Sequence, residues 1–347
     1  MINNLFITIL SVSVYFVIYS FRKKISLLLN VVDVPNEDRK IHKIATPKTA
    51  SFSIVLFFLI LLIFNLFYNY FNNELNIILI GTILVFIVGY LDDKYKLSAL
   101  NKIFLISIIS IFLCILSKNL IISEFYILSL DTFFKLENFS VLFTILCVLC
   151  LVNALNLADG INGLATGLIF FWLFFITQIY ENNLNLITNI ILINLILIFI
   201  HNYKGDHFLG DSGSLMLSSF LAFLVINFHN QNINSQGPGQ QNSAESIFIL
   251  FIIPVLDMVR LFFERLLNKK NPGVGDNNHL HHYLINKFTN RQALIIYFLA
   301  VNIPIIMSLY TSVNKIYIII STILLYIFFM FYYNQHLKKA HVKKKRK

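Results

Sequence analysis

Carboxylates, amides and imidazoles gather in five short stretches of this sequence, and their types suit work on phosphates. Residues 153–163 read Asn-Ala-Leu-Asn-Leu-Ala-Asp-Gly-Ile-Asn-Gly, so Asn153, Asn156, Asp159 and Asn162 recur every third residue. On a helix such residues are neighbours, and Asn153 would sit about 9 Å of rise before Asp159. Oxygen donors without thiolates point to Mg2+ or Mn2+, which keep waters and take one or two carboxylates together with substrate phosphates. Polar residues gluing helices together would explain one Asn more readily than three amides and an Asp.

Two further acidic signals have the same character. Asp92-Asp93 follows an apolar run directly, where a helix C-terminus disfavours carboxylates. An adjacent pair can hold a cation or supply a base, or simply be solvated. Asp211 stands in Gly210-Asp211-Ser212-Gly213-Ser214 at the start of another run. Free N–H groups there can bind phosphate, the carboxylate can ligate a phosphate-bridging metal, and the plain alternative is an N-cap. On the basic side, His279-Leu280-His281-His282 follows Arg260, Arg265, Lys269 and Lys270. No Cys or Glu accompanies it at metal-ligand spacing, so it reads as a cationic, hydrogen-bonding wall for phosphate or a nucleotide rather than a zinc site. Arg39, Lys40 and His42 form a smaller cluster of that kind. Hard-cation ligands beside phosphate-binding bases suggest phosphoryl transfer from a soluble, phosphate-bearing donor to a lipid acceptor.

The elements that must position these stretches are membrane helices. The chain is 57% hydrophobic and only 13% charged over 347 residues. Its apolar residues form eleven runs of about 17–22 residues, long enough to span a bilayer. They cover roughly 4–21, 52–71, 75–91, 101–117, 140–158, 164–180, 184–202, 213–229, 246–266, 292–310 and 314–333. The pattern predicts an all-α integral membrane protein with one polytopic domain over 1–335 and a basic cytoplasmic tail over 336–347. The first run lacks a basic n-region and a cleavage site, and its basic cluster (Arg22, Lys23, Lys24) comes after it, so it is expected to remain a span.

With the amino terminus outside and the spans alternating, only Lys118, Lys135 and Lys315 of the 27 Lys and Arg fall outside. That positive-inside bias sets the orientation and puts the carboxyl terminus in the cytoplasm. All five chemical stretches then face the cytoplasm. The net charge of +10, and the run Lys343–Lys347 above all, belongs with anionic headgroups and not with nucleic acid. Cys114, Cys147 and Cys150 fall inside apolar runs, where packing is expected over redox or zinc chemistry. Residues 118–139 read as a mildly acidic connector and 230–245 as a Gly/Pro-broken loop. No internal repeat suggests an inverted-repeat transporter; a lipid-phosphate transporter, the alternative from another class, would carry polar clusters on both faces.

Five motifs occur in order: Asp33-x-Pro35-x-x-x-Arg39-Lys40-x-His42, Asp92-Asp93, Asn153-x-x-Asn156-x-x-Asp159-Gly160, Gly210-Asp211-x-Gly213-Ser214 and His279-Leu280-His281-His282. In this the chain resembles the polyprenyl-phosphate N-acetylhexosamine-1-phosphate transferases (glycosyltransferase family 4), on the WecA/TagO-like branch rather than the MraY branch. The resemblance runs from Asp33 to His282 and implies eleven spans in a bacterial inner (cytoplasmic) membrane, with the active site facing the cytoplasm. It implies transfer of a HexNAc-1-phosphate, expected to be GlcNAc-1-phosphate, from a UDP-N-acetylhexosamine to undecaprenyl phosphate with release of UMP. This would be the first membrane step of a cell-surface polysaccharide such as an O-antigen, a common antigen or a teichoic acid. A 6-deoxy-HexNAc or phospho-MurNAc-pentapeptide donor is the alternative within the class, and a homodimer is left open.

Carried over by residue, the resemblance implies Mg2+ (or Mn2+) on Asn156 and Asp211. It places Asp92, Asp93 and Asp159 in catalysis, with Asp92 removing a proton from the lipid phosphate. Lys102 would meet phosphate; Arg260, Arg265, His279, His281 and His282 would hold nucleotide and diphosphate; Arg39, His42 and Asn153 join the substrate-binding set. Three positions depart from the family pattern. Asn162 stands where many relatives have a second Asp, Ala50-Ser51 replaces Gly-Gly, and Gly273 follows Pro272 where an apolar residue is usual.

Overall fold

The computed structural model describes residues 4–35, 44–68, 71–180, 185–236, 243–271, 273 and 277–345. Helix α1 (Asn4–Leu29) leads into a two-residue ladder, β1 (Val32–Asp33) against β2 (Thr46–Pro47). Then come α2 (Ala50–Tyr68), α3 (Asn73–Tyr95) and α4 (Ala99–Leu116). Side-chain caps start the latter two, Asn72 accepting from Leu75 N–H and Ser98 from Asn101 N–H, which satisfies amides that the helix leaves unpaired. Lys96, in the left-handed region at φ 53°, closes α3 by donating its N–H to the Asp92 carbonyl.

The connector at 118–139 is more ordered than its composition suggests. It folds into a hairpin, β3 (Glu124–Ile127) with β4 (Thr132–Lys135), whose facing aromatics meet across the ladder, Phe125 stacked on Phe134 and Tyr126 tilted against Phe133. Helices α5 (Ser140–Ala158), α6 (Leu164–Ile179), α7 (Asn185–Tyr203), α8 (Gly210–Gln236) and α9 (Ala244–Leu267) follow. The histidine stretch forms a short helix, α10 (Leu280–Ile285), before α11 (Asn290–Tyr310) and α12 (Lys315–Lys345). The segment set apart above as a tail continues α12 as helix to Lys345.

Nine of the described helices are long and apolar enough to cross a membrane, while the apolar stretches Leu164–Ile179 and Ile187–Tyr203 are shorter. Each of the eleven expected runs falls on one of these helices. The chain is an all-α integral membrane protein.

Helix α8 is the axis. The whole of its most apolar stretch is buried inside the protein, and it is the least apolar of the nine. Such a helix can carry polar groups because no lipid touches it and protein partners satisfy them. Ser218 Oγ, for example, donates to the Ser214 carbonyl at 2.6 Å.

Two polar ends result. At one, Glu245 accepts from the N–H groups of Leu128 and Ser129, Asn119 donates to Glu74, and Asn230 donates to the carbonyls of Asn119 and Ile121. At the other end the four chemical stretches that the structure describes in full assemble, with Asp33 of the first-loop motif beside them.

Candidate active site

The last turn of α3 delivers two adjacent carboxylates to different jobs. Asp93 has no exposed side-chain surface. Its Oδ1 accepts from Asp211 N–H at 3.1 Å and its Oδ2 from Ser212 N–H at 2.9 Å, so it caps the first turn of α8. Lys48 Nζ adds a third partner at 3.1 Å. Gly210 enters at φ +73°, and a Cβ there would stand 2.6 Å from Asp93 Oδ2; only glycine allows the cap to close. Asp92 instead pairs with Lys102 Nζ at 2.7 Å and lies within hydrogen-bonding reach of the Asp211 carboxyl.

Helix α8 brings Asp211 to this place because α3 and α8 meet backbone to backbone. A Cβ at Gly89 would come within 2.5 Å of Ser212 Cα and 2.6 Å of the Asp211 carbonyl oxygen. On the far side Ser51 Oγ and Ser212 Oγ are hydrogen-bonded at 3.0 Å. The Ala50-Ser51 departure therefore packs well: Gly213, where a Cβ would stand 2.9 Å from Ser51 Cβ, supplies the room.

The end of α5 forms the adjoining wall. Asn156 Oδ1 accepts from Ser214 Oγ at 2.8 Å, which holds the amide against the first turn of α8. Asp159 follows as the residue that closes α5. Although it keeps some solvent contact, surrounding protein and then the Asp211 charge push its carboxyl up to about 7, with Lys48 opposing. Asn153 is turned away: its Nδ2 donates to the Leu149 carbonyl of its own helix at 2.7 Å.

Two anchors had no motif to announce them. Lys48 bridges Asp93 and, at 3.9 Å, Asp33. Burial opposes its charge, but the carboxylates of Asp93, Asp211 and Asp33 outweigh burial and keep it protonated. Asn202 accepts from Gly163 N–H at 2.6 Å and donates to the His207 carbonyl at 3.5 Å, tying the Asp159 stretch to the loop before Asp211. That loop is held from below as well. Phe208 N–H donates to the Pro47 carbonyl, Ala50 N–H to the Phe208 carbonyl, and Thr49 Oγ1 meets His207 Nε2 at 3.0 Å. Burial holds His207 neutral, its pKa lowered to about 3. Position alone, immediately after Pro47, could have singled out Lys48; Asn202 carried no local signal.

The histidine helix arrives from the other side. His281 is buried, neither ring nitrogen has a hydrogen-bond partner, and its Nε2 lies directly over Gly160, where a Cβ would collide with it. Burial first, then the charges of His282 and His279, lowers its pKa well below the ordinary value, so the expected cationic wall has a neutral member. His279 pairs with Asp257 through Nδ1 at 3.0 Å. Arg260 is turned toward Asp257, Glu264 and Tyr326, and Arg265 is buried. Arg39 and His42 lie outside the described residues.

Among the described residues no group of three or more His, Cys, Asp or Glu closes around a point as a finished ligand shell. The donor set nonetheless fits a hard ion. Two carboxyls in hydrogen-bonding reach, Asp92 and Asp211, require a shared proton or a cation between them. The Asn156 amide adds a neutral oxygen, held at the first turn of α8 by Ser214. Mg2+ completes such partial sets with water and substrate phosphate.

Fold and site together define a multi-pass membrane protein with a carboxylate–amide centre at one end of its bundle. Residues 75–229 match the family model described as glycosyl transferase family 4. It is 28% identical over 285 residues to the probable undecaprenyl-phosphate N-acetylglucosaminyl 1-phosphate transferase of Bacillus subtilis (strain 168), covering 80% of this chain and 76% of the relative. It is 26% identical over 290 residues to the undecaprenyl-phosphate alpha-N-acetylglucosaminyl 1-phosphate transferase of Escherichia coli (strain K12), covering 81% and 76%. The Salmonella typhi protein of that same name is 25% identical over 303 residues, covering 84% and 80%.

Proposed function

We propose that this protein transfers N-acetylglucosamine 1-phosphate from UDP-N-acetylglucosamine to undecaprenyl phosphate, releasing UMP, at the cytoplasmic face of a bacterial inner membrane. In this reading α6 and α7 span with the other nine helices, the amino terminus is outside and the carboxyl terminus is inside. The observation that carries it is the meeting of Asp92, Asp211, Asn156 and Asp159 with Lys48 and Lys102 at a single end of the bundle. The family-model match over residues 75–229 and the names of the relatives support the substrates.

A lipid phosphate oxygen attacks the sugar-bearing phosphorus of the donor, and the bond from that phosphorus to the oxygen bridging it to UMP breaks. One phosphoanhydride is made and one lost, so the reaction runs readily in both directions. Asp92 takes the remaining proton from the lipid phosphate, and Lys102, its partner at 2.7 Å, is placed to turn to the incoming phosphate. Asp211 and Asn156 would hold Mg2+ or Mn2+, which would supply charge neutralisation at the diphosphate. Asp93 and Lys48 fix the α8 N-terminus, and the histidine helix closes over Gly160 on the nucleotide side.

Membranes carrying the protein are incubated with labelled UDP-GlcNAc and undecaprenyl phosphate, with and without Mg2+. Label is expected in the lipid fraction only with the ion, and near background in Asp211→Asn. Label that never enters lipid removes the GlcNAc assignment, and wild-type transfer by Asp211→Asn removes the metal role. A parallel arm with a 6-deoxy-HexNAc donor decides between sugars.

A further inference from the structure

Asp257, near the middle of α9, is buried, and its carboxylate is saturated. Oδ1 accepts from Arg260 Nη2 at 3.0 Å and from the Tyr326 hydroxyl at 2.7 Å; Oδ2 accepts from His279 Nδ1 at 3.0 Å; Leu280 N–H lies 3.2 Å from both. The donors are themselves interlocked. Arg260 Nε donates to the Tyr326 oxygen at 2.9 Å, Nη1 to Glu264 at 2.9 Å and Nη2 also to the Asn278 carbonyl at 2.5 Å. A buried carboxylate is tolerated when charge and hydrogen bonds surround it in this way, and removing one partner of such a set is costly.

The network has a geometric consequence. A carboxylate only accepts, so His279 must carry its proton on Nδ1, leaving Nε2 as the nitrogen open to a ligand. Leu280 N–H is the first amide of α10, a six-residue helix far too short to persist without anchoring. That helix carries His281 onto Gly160, beside Asp159. We propose that Asp257 and Tyr326 are positioning residues for the reaction. They lock the His279 ring, the Arg260 guanidinium and the first turn of α10 into the arrangement that sets the histidine stretch against the acid cluster. Helix α12, which holds no motif residue, thereby becomes part of the active-site frame through one hydroxyl.

The inference rests on the transferase reading above for what the histidine stretch binds, and two independent readouts separate the two. The full-length protein in lipid nanodiscs is compared with Tyr326→Phe, Asp257→Asn and Asp257→Glu. Hydrogen–deuterium exchange over residues 277–286 is expected to rise in Tyr326→Phe and Asp257→Asn, with α3 and α8 as protected as in the wild type. The KM for UDP-GlcNAc and the Kd for UMP are expected to rise roughly 3–10-fold in Tyr326→Phe and 10–100-fold in Asp257→Asn. The KM for the lipid phosphate should stay put, and Asp257→Glu should recover part of the loss. Unchanged exchange over 277–286 overturns the inference whether or not the wild type transfers sugar. Losses that follow a falling melting temperature, with the Kd for UMP unmoved in the folded fraction, overturn it too. A wild type that neither binds UMP nor labels lipid removes the transferase reading and leaves the exchange result to decide the positioning role alone.

Discussion

At the scale of single residues, Asp92 and Asp93 are adjacent in sequence and differ in every side-chain partner. Both oxygens of Asp93 are occupied by the first amides of α8 and by Lys48, so it acts through the backbone it holds. Asp92 meets Lys102 and the Asp211 carboxyl at the reactive side. In Asp92→Asn the fold is expected to survive, with kcat down by roughly 10²–10⁴, the range for a lost general base, and an unchanged melting temperature. In Asp93→Asn an acceptor is lost at a buried cap and Lys48 loses a charge partner, so the melting temperature should fall together with activity. Parallel melting curves and kcat values for the two variants check this; equal melting temperatures would mean that Asp93 is not a structural cap. Asp159 gives a pH test. Its carboxyl titrates at 3.8 in the reference state and about 7 in the folded protein, so between those values the folded state holds more protons. Stability from this group is therefore present at low pH, falls as pH rises through that window and levels off above it. Unfolding midpoints measured between about pH 4.5 and 8 without divalent ions should decline, and Asp159→Asn should flatten the decline. An unchanged slope in the variant would assign it to other groups.

At the scale of elements, the contact that places the chemistry is the approach of α3 to α8. Gly89→Ala would press a methyl onto the backbone of Ser212 and Asp211, atoms that cannot rotate aside. Overpacking of this kind costs about 1–3 kcal/mol, and here it also shifts Asp211, so kcat should drop by at least about tenfold, 1.4 kcal/mol. Gly81→Ala on the same helix meets only the Leu113 side chain, which can change rotamer, and should keep most activity. Similar kcat values for the two variants would refute the backbone argument. The helices themselves were legible as apolar runs, because a span must be long, apolar and uncharged. The partners that fix their register were not. Lys48 counts in the sequence as one more inner charge, and Ser51 looks like a lapse from Gly-Gly until Ser212 is seen opposite. Tyr326 lies 69 residues from Asp257, inside a span where an aromatic is unremarkable. Contacts between such distant segments leave no trace in local spacing, and the hairpin at 124–135 was obscured because its residues resemble those of the neighbouring spans.

At the scale of the molecule, the bundle sorts polarity along its axis. Its buried central helix links an end holding Glu245, Asn119 and Asn230 to an end holding every motif residue that the structure describes. Applied to the Lys and Arg distribution, the positive-inside rule predicts that the acid cluster faces the cytoplasm. The proposed reaction draws its nucleotide-sugar donor from the cytoplasm, so orientation is a condition of it. The native cysteines Cys114, Cys147 and Cys150 are at most part-exposed and can be replaced by Ala or Ser to give a silent background. In that background Lys135→Cys, on β4, is expected to react with a membrane-impermeant thiol reagent in spheroplasts. Lys94→Cys at the inner end of α3 and Lys204→Cys after α7 should react only once the membrane is opened. The three positions are independent reports, because an odd number of spans separates Lys135 from each of the other two: α4 alone on one side, and α5, α6 and α7 together on the other. If α6 and α7 formed a single re-entrant unit instead of two spans, the parity at Lys204 would be unchanged, whereas loss of one of them alone would bring Lys204→Cys to the outer face. Labelling of Lys94→Cys in intact spheroplasts would put the acid cluster outside, where no UDP-sugar reaches it, and the transferase assignment would fall with the orientation.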